Sequence, residues 1–200
     1  MLKRIFDIFF SLFALLVFLP FGLILAIIIV LESRGGVFYK QERIGQFGKP
    51  FYLFKFRSMK TGSDKKGLLT VGMNDSRITK SGFFIRKFKL DEMPQFINVL
   101  KGEMSIVGPR PEVRKYVDLY TKEQKSILNV KPGITDYASL EYFNENEILG
   151  KAENPETAYI TEVMPDKILI NQKYLKNPNL LQDLKIIGLT IMRIVFSAKI

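Results

Sequence analysis

The chain has 200 residues, 47% of them hydrophobic and 25% charged, with a formal charge of +10. That suits one domain with a sizeable core and excludes a disordered tail. With no His, Cys or Trp, a Ser-His-Asp triad, a cysteine nucleophile and a Cys/His zinc site are all excluded; catalysis must use carboxylates, Lys, Arg, Tyr, hydroxyls, backbone amides or a hard cation such as Mg²⁺.

In chain order, Ile8–Leu31 comes first, 24 residues without a charge. As one helix it reaches about 36 Å, enough to cross a hydrocarbon core of about 30 Å. It is too long for a secretory h-region, and no A-x-A-like site follows. Pro20 and Gly22 fall inside it, and a proline kinks or breaks a helix. A break leaves Ile8–Leu19 and Phe21–Leu31, each about 17–18 Å and too short to span alone. Lys3 and Arg4 precede the run and a strongly basic region follows it, so the positive-inside rule draws both ends to the cytoplasmic side. A re-entrant helix–break–helix over residues 1–33 is the expectation; a spanning anchor and a buried core helix are the alternatives.

A single α+β, helix-rich domain over residues 34–200 follows. "GGVFYKQERIG" (Gly35–Gly45) and "PFYLFKFRSM" (Pro50–Met59) predict a short hairpin. In the second strand Tyr52, Phe54 and Phe56 are expected on one face, with Leu53, Lys55 and Arg57 on the other. Thr61–Gly82 reads as loop. Apolar residues at 93, 96, 97, 100 and 104 predict a helix ended at Gly102. Glu112 to about Val130 predicts another, ended by Pro132-Gly133. Glu141–Asp166 is acidic and weakly patterned. Asn179–Phe196 is amphipathic, with Leu180, Leu184, Ile187 and Ile191 on one face, and suits a membrane interface.

Charge is uneven: Glu32 to Pro132 holds 21 Lys+Arg against 10 Asp+Glu, and Gly133 to Ile200 holds 7 against 9. The basic middle implies an anionic partner, whether nucleotide, nucleic acid or anionic membrane. Within it stand Asp91 and Glu92. Their plain reading is a helix start, Asp91 as N-cap, Glu92 as first helical residue and Pro94 in the first turn. Their setting suggests more. Arg86, Lys87 and Lys89 precede them, and Arg110 is stiffened between Pro109 and Pro111, which suits a bidentate grip on phosphate. Two carboxylates, several cations and a helix terminus make a plausible site for a diphosphate plus Mg²⁺, with a carboxylate as nucleophile on phosphorus.

Four stretches in this order, "VFYKQERIGQFGKPFYLFKFRSM", "RKFKLDEMPQFINVLKGEMSIVGPRPE", "VKPGIT" and "YLKNPNLLQDLKII", resemble the bacterial sugar transferases, the monotopic phosphoglycosyl transferases, in their small single-domain form. The likeness covers the chain to about Thr190. It implies transfer of a sugar-1-phosphate from a UDP-sugar to a polyprenol (undecaprenyl) phosphate, releasing UMP, at the cytoplasmic face of the bacterial inner membrane. That is the first membrane step toward O-antigen, capsule, exopolysaccharide or protein-linked glycan. It implies Asp91 as nucleophile, Glu92 assisting with Mg²⁺, and both as metal ligands. Arg86 and Arg110 would bind phosphate with Lys55 and Arg57 nearby, Pro132-Gly133 would lie on the nucleotide side, and Pro20 would make the re-entrant break. The partners implied are a UDP-sugar, polyprenol phosphate and the lipid bilayer, not nucleic acid. The chain departs from the family pattern at Leu19, where many members have Ser, at Met93, and at "DYASLEYFNENE" after Thr135. The sugar, the downstream glycan and whether the chain forms a homodimer stay open. The rival readings are a membrane-anchored protein binding anionic lipid or nucleic acid, and a membrane phosphatase using the same aspartate.

Overall fold

The computed structural model describes residues 1–63 and 75–197; residues 64–74 of the expected Thr61–Gly82 loop lie outside them. The elements are α1 (Leu2–Glu32), β1 (Phe38–Ile44), β2 (Pro50–Phe56), α2 (Lys80–Lys87), α3 (Gln95–Lys101), β3 (Ser105–Val107), α4 (Arg114–Val117), β4 (Gly133–Thr135), α5 (Tyr137–Glu141), α6 (Glu145–Gly150), α7 (Pro155–Ala158), α8 (Met164–Leu175) and α9 (Leu180–Ser197). The expected helix-rich α+β domain is what forms.

α1 is a single helix of 31 residues with Pro20 inside it, about 46 Å long. The expected interruption into two half-helices does not occur. Proline removes one ladder bond and crowds the preceding turn, but both flanks are held by packing. Phe18 lies against Phe56 at 6.1 Å between ring centroids, and Leu25 and Ile29 are buried with Phe56 and Ile85. At the N-terminal end Lys3 donates to Asp183 and to the Val107 carbonyl. Arg4 donates to the carbonyls of Val99 and Leu100 at the end of α3. Buried Asp7 accepts from Ser105 Oγ and Ile106 N–H of β3. At the other end Glu32 accepts from the first amides of α2, Lys80 and Ser81, where the helix dipole favours an anion. One face of α1 thus follows the domain along its length. The opposite face, with Phe9, Leu12, Phe13, Leu16, Val17 and Leu23, is exposed. Only 6% of its most apolar 18-residue window is buried, and by length and composition the helix can cross a membrane. So large an uncovered apolar surface is a membrane-association surface.

β1 and β2 pair antiparallel, from Phe38 opposite Phe56 to Ile44 opposite Pro50. Their turn uses left-handed Phe47 and Gly48. In β2, Phe51 and Leu53 face the core and Tyr52 is exposed. The expected aromatic face is therefore divided: Phe56 turns in against α1, and Lys55 lies on the Phe51–Leu53 side, toward the carboxylate pair. β3 and β4 form a short parallel pair, Ser105 with Gly133 and Val107 with Thr135, which the sequence reading did not foresee. Their backbones meet where two glycines oppose, since a Cβ on Gly133 would stand 2.1 Å from the Gly108 nitrogen.

Three expectations need correction beyond α1. The single helix from Glu112 to Val130 is two pieces, α4 and a 3-10 segment over Gln124–Asn129. Thr121 and Gln124 exchange reciprocal side-chain-to-amide bonds, a capping box that starts a new segment. The acidic tract is helical: α6, α7, a π-helical turn at Tyr159–Val163 and α8. These bury Leu149, Tyr159, Val163, Met164 and Ile168 in one core cluster. In α9 the inward face carries Asp183, Ile186 and Ile187, while Leu181, Leu184, Ile191 and Val195 face out. Asp183 can turn inward because Lys3 and Tyr174 both donate to it, and a paired charge is tolerable in a core.

Candidate active site

The chain reverses direction after α2 at Lys89, whose φ of 55° is left-handed, an uncommon and costly conformation for a side-chain-bearing residue. A 3-10 turn over Leu90–Glu92 follows, and α3 begins at Gln95 with Pro94 at its N-cap. Asp91 is therefore not the cap of α3; the pair sits in the 3-10 turn before it. Pro94 suits that start, because its fixed φ is already helical and its missing N–H needs no partner in the first turn. Gly102, left-handed at φ 85°, ends α3 as expected. Asn98 ties this helix to β2, accepting from Phe54 N–H and donating to the Tyr52 carbonyl. That bond places Lys55, one residue further along β2, beside the turn.

The two carboxylates differ sharply. Arg110 forks onto Glu92, with its Nη1 at 3.2 Å from Oε2 and its Nη2 on Oε1, and Lys55 Nζ lies 3.4 Å from Oε1. Burial pushes the Glu92 carboxyl up, but Arg110 and Lys55 together overwhelm it and hold the group well below the usual carboxylate range. Glu92 in turn holds the Arg110 guanidinium firmly charged. Asp91 is 6% exposed, and among the described residues no donor reaches its carboxylate. Burial pushes its carboxyl up; Lys55 works against that rise, Glu92 adds to it, and Arg86 and Lys89 oppose it. Burial also pushes the Lys55 ammonium down, with Glu92 pulling it back up. The site is thus a clamped anion next to an unclamped one, ringed by cations.

Structure brings together most of the residues singled out from sequence. Glu92, Lys55 and Arg110 meet directly, and Lys55, Arg86 and Lys89 act on Asp91 through space. Arg110 is positioned by its own backbone as well, its N–H donating to buried Asp136, which also accepts from Ser139 N–H and Asn171. Asp136 caps α5, so its local role is to fix the Arg110 loop. Arg57 is elsewhere. Buried, it donates to the carbonyls of Ile29, Ser33 and Arg34 and so caps the C-terminal end of α1. Gly133 serves the close approach to Gly108, while Pro132, with Arg110, lines a hollow. That hollow, of about 10 Å³, and a neighbouring one of about 20 Å³ beside Tyr159 and Asn171 each have room for about one water. Pro20 lies inside α1 and is exposed. Sequence reasoning passed over Asp7 and took Lys3 only as a flanking charge, whereas the two tie α1 to β3; the signal was a lone acid and a base one turn apart at the edge of an apolar run.

A model of the bacterial sugar transferase family matches residues 1–197. The chain is 38% identical over 196 residues to the uncharacterized sugar transferase EpsL of Bacillus subtilis (strain 168), covering 98% of this chain and 88% of that protein. It is 37% identical over 197 residues to a UDP-N-acetylgalactosamine-undecaprenyl-phosphate N-acetylgalactosaminephosphotransferase of Aeromonas hydrophila, covering 97% of this chain and 44% of that one. It is 36% identical over 197 residues to a UDP-glucose:undecaprenyl-phosphate glucose-1-phosphate transferase of Escherichia coli (strain K12), covering 96% and 40%. An end-to-end family match, joined to a carboxylate pair whose Glu92 is gripped by Arg110 and Lys55, leads to one conclusion: the chain belongs to the bacterial sugar transferase family.

Proposed function

We propose that the chain transfers a sugar-1-phosphate from a UDP-sugar to undecaprenyl phosphate, with Asp91 as the nucleophile. The named reactions of the relatives supply the substrate classes. The assignment of Asp91 is carried by one observation: it is the member of the pair left without a hydrogen-bond partner, while Glu92 is held by two cations. A carboxylate already paired is a poor nucleophile; a buried, unpaired one whose proton affinity is raised is a better one.

The chemistry balances without a net proton. An oxygen of Asp91 attacks the phosphorus that bears the sugar. The bond from that phosphorus to the oxygen bridging it to UMP breaks, and UMP leaves with that oxygen and its electron pair. An oxygen of undecaprenyl phosphate then attacks the same phosphorus and frees the carboxylate, giving undecaprenyl-diphosphate sugar. Arg110, stiffened by flanking prolines and with its side chain 29% exposed, offers its remaining N–H groups to the phosphoryl oxygens. Arg86 and Lys89 add positive potential where the charge grows.

Magnesium fits as a guest of this pair. Among the described residues no cluster of three or more metal-ligating side chains exists, but Mg²⁺ is commonly held by one or two carboxylates plus substrate phosphates. Asp91 has oxygens to offer, whereas those of Glu92 are engaged by Arg110 and Lys55. The ion would neutralise charge on the diphosphate.

Both ends of α1 support a monotopic placement at the cytoplasmic face of the inner membrane. Lys3, Arg4 and Asp7 at one end and Glu32 at the other bind the same domain. A helix spanning about 30 Å of hydrocarbon would separate those ends. Phe83 and Phe84 of α2 and the outer face of α9 are exposed apolar surface that suits the same interface. The product class serves glycan assembly, in keeping with an exopolysaccharide production protein of Rhizobium leguminosarum, 37% identical over 96% of this chain and 94% of that one.

The test is UMP release from a panel of UDP-sugars with undecaprenyl phosphate in detergent, with and without a chelator. Asp91→Asn abolishes release and chelation stops it; near-normal turnover in that variant overturns the nucleophile assignment.

A further inference from the structure

Buried polar groups in folded proteins almost always have partners, so each one without a partner calls for a reason. Gln95 is 1% exposed, and its side-chain nitrogen is sealed from solvent with no hydrogen-bond partner. A buried amide left in this state costs stability that an apolar side chain of the same shape would not. Its position supplies a reason. Gln95 is the first residue of α3, three residues after Glu92 and four after Asp91. The chain between is helical, with Met93 and Pro94 in right-handed conformation and Phe96 N–H bonded to the Met93 carbonyl. Residues three and four apart on such a path are neighbours. Helical side chains lean back over the turn that precedes them, a tendency that directs that of Gln95 toward the turn that carries the pair.

Of the two carboxylates, Glu92 has its acceptors filled by Arg110 and Lys55. Asp91 is buried and accepts nothing among the described residues. One turn of helix therefore carries a sealed donor without an acceptor and, beside it, a largely buried carboxylate that accepts from no donor among the described residues. We propose that Gln95 is a positioning residue: its amide N–H₂ closes onto one oxygen of Asp91 when substrate enters, and holds the other oxygen toward the phosphorus. This deepens the reading of Asp91 as nucleophile and rests on it. The unmet bond in the free protein is what makes the arrangement useful, because the carboxylate is fixed only when there is something to attack. Orientation of a reacting group acts on the chemical step more than on substrate binding.

Gln95→Met keeps the length and shape and removes the donor. In the full chain in detergent, turned over with a UDP-sugar that the wild-type protein uses, kcat should fall about tenfold or more, with KM for the UDP-sugar staying within about twofold. The melting temperature should hold or rise, because the variant loses no hydrogen bond and buries one less unsatisfied group. A purely structural glutamine predicts the reverse, a lower melting temperature. Full kcat, or a fall in melting temperature, overturns the proposal. Asp91→Asn run beside it separates the two ideas. If Asp91→Asn turns over normally, the nucleophile reading has failed; if it is inactive and Gln95→Met is fully active, the failure belongs to Gln95 alone.

Discussion

Arg57 offers a sharp test of how this domain holds its membrane helix. Its guanidinium donates at 2.9 Å to the Arg34 carbonyl, 2.6 Å to Ser33 and 3.2 Å to Ile29. In Arg57→Met the first two carbonyls can turn to water, since Arg34 is exposed and Ser33 half-buried. The Ile29 carbonyl cannot, because Ile29 is 2% exposed, and it keeps only the 3.3 Å bond from Ser33 N–H. Losing the charged hydrogen bond to that buried carbonyl costs about 1.5–3 kcal/mol, and a lost cation at a partly buried helix C-terminus up to about 2 kcal/mol. The sum is about 1.5–5 kcal/mol, or roughly 3–20 °C in melting temperature for a domain of this size. Circular dichroism melts of both proteins in the same detergent measure it. Arg57→Lys, which keeps the charge but not the planar fork, should recover part of the loss. An unchanged melting temperature with a raised KM for UDP-sugar would refute the reasoning and return Arg57 to the phosphate site.

The neighbouring carboxylates should respond to neutralisation with opposite signs. Glu92→Gln leaves Arg110 and Lys55 without their anion and costs about 3–5 kcal/mol at pH 7. Its folded carboxyl is held below the unfolded value of 4.5, so the wild-type stability it contributes is present above that pH and lost as pH falls. For Asp91, burial raises the carboxyl above its unfolded value of 3.8; it weakens the fold as pH rises past that value, so Asp91→Asn should melt higher than wild type at pH 7 while releasing no UMP. Gly133→Ala, with a Cβ only 2.1 Å from the Gly108 nitrogen, should fail to yield folded protein in purification, because backbone on backbone cannot yield cheaply. In this cysteine-free chain, Leu2→Cys and exposed Lys49→Cys should both label from the cytoplasmic side of sealed vesicles. Labelling of Leu2→Cys from outside would mean a spanning α1.

Local chemistry made the hairpin, the glycine stop of α3, the basic middle and the Asp91–Glu92–Arg110 grouping legible without coordinates. Strand alternation, a left-handed terminus and charge type are properties of neighbouring residues, so they survive in a linear reading. Three other features depend on partners far along the chain. Asp183 turns inward because Lys3, 180 residues away, and Tyr174 both donate to it. Arg57 stands apart from the Asp91–Glu92 pair because α1 ends beside it, presenting the carbonyls of Ile29 and Ser33. Pro20 stays inside one helix because Phe18 and Leu25 are packed on either side. The sequence by itself determined which residues can carry the chemistry. Only the tertiary structure decided that Glu92 is clamped and Asp91 is not, because cations from β2 and from the loop after β3 converge on one carboxylate, and burial and pairing are set by what the fold brings near.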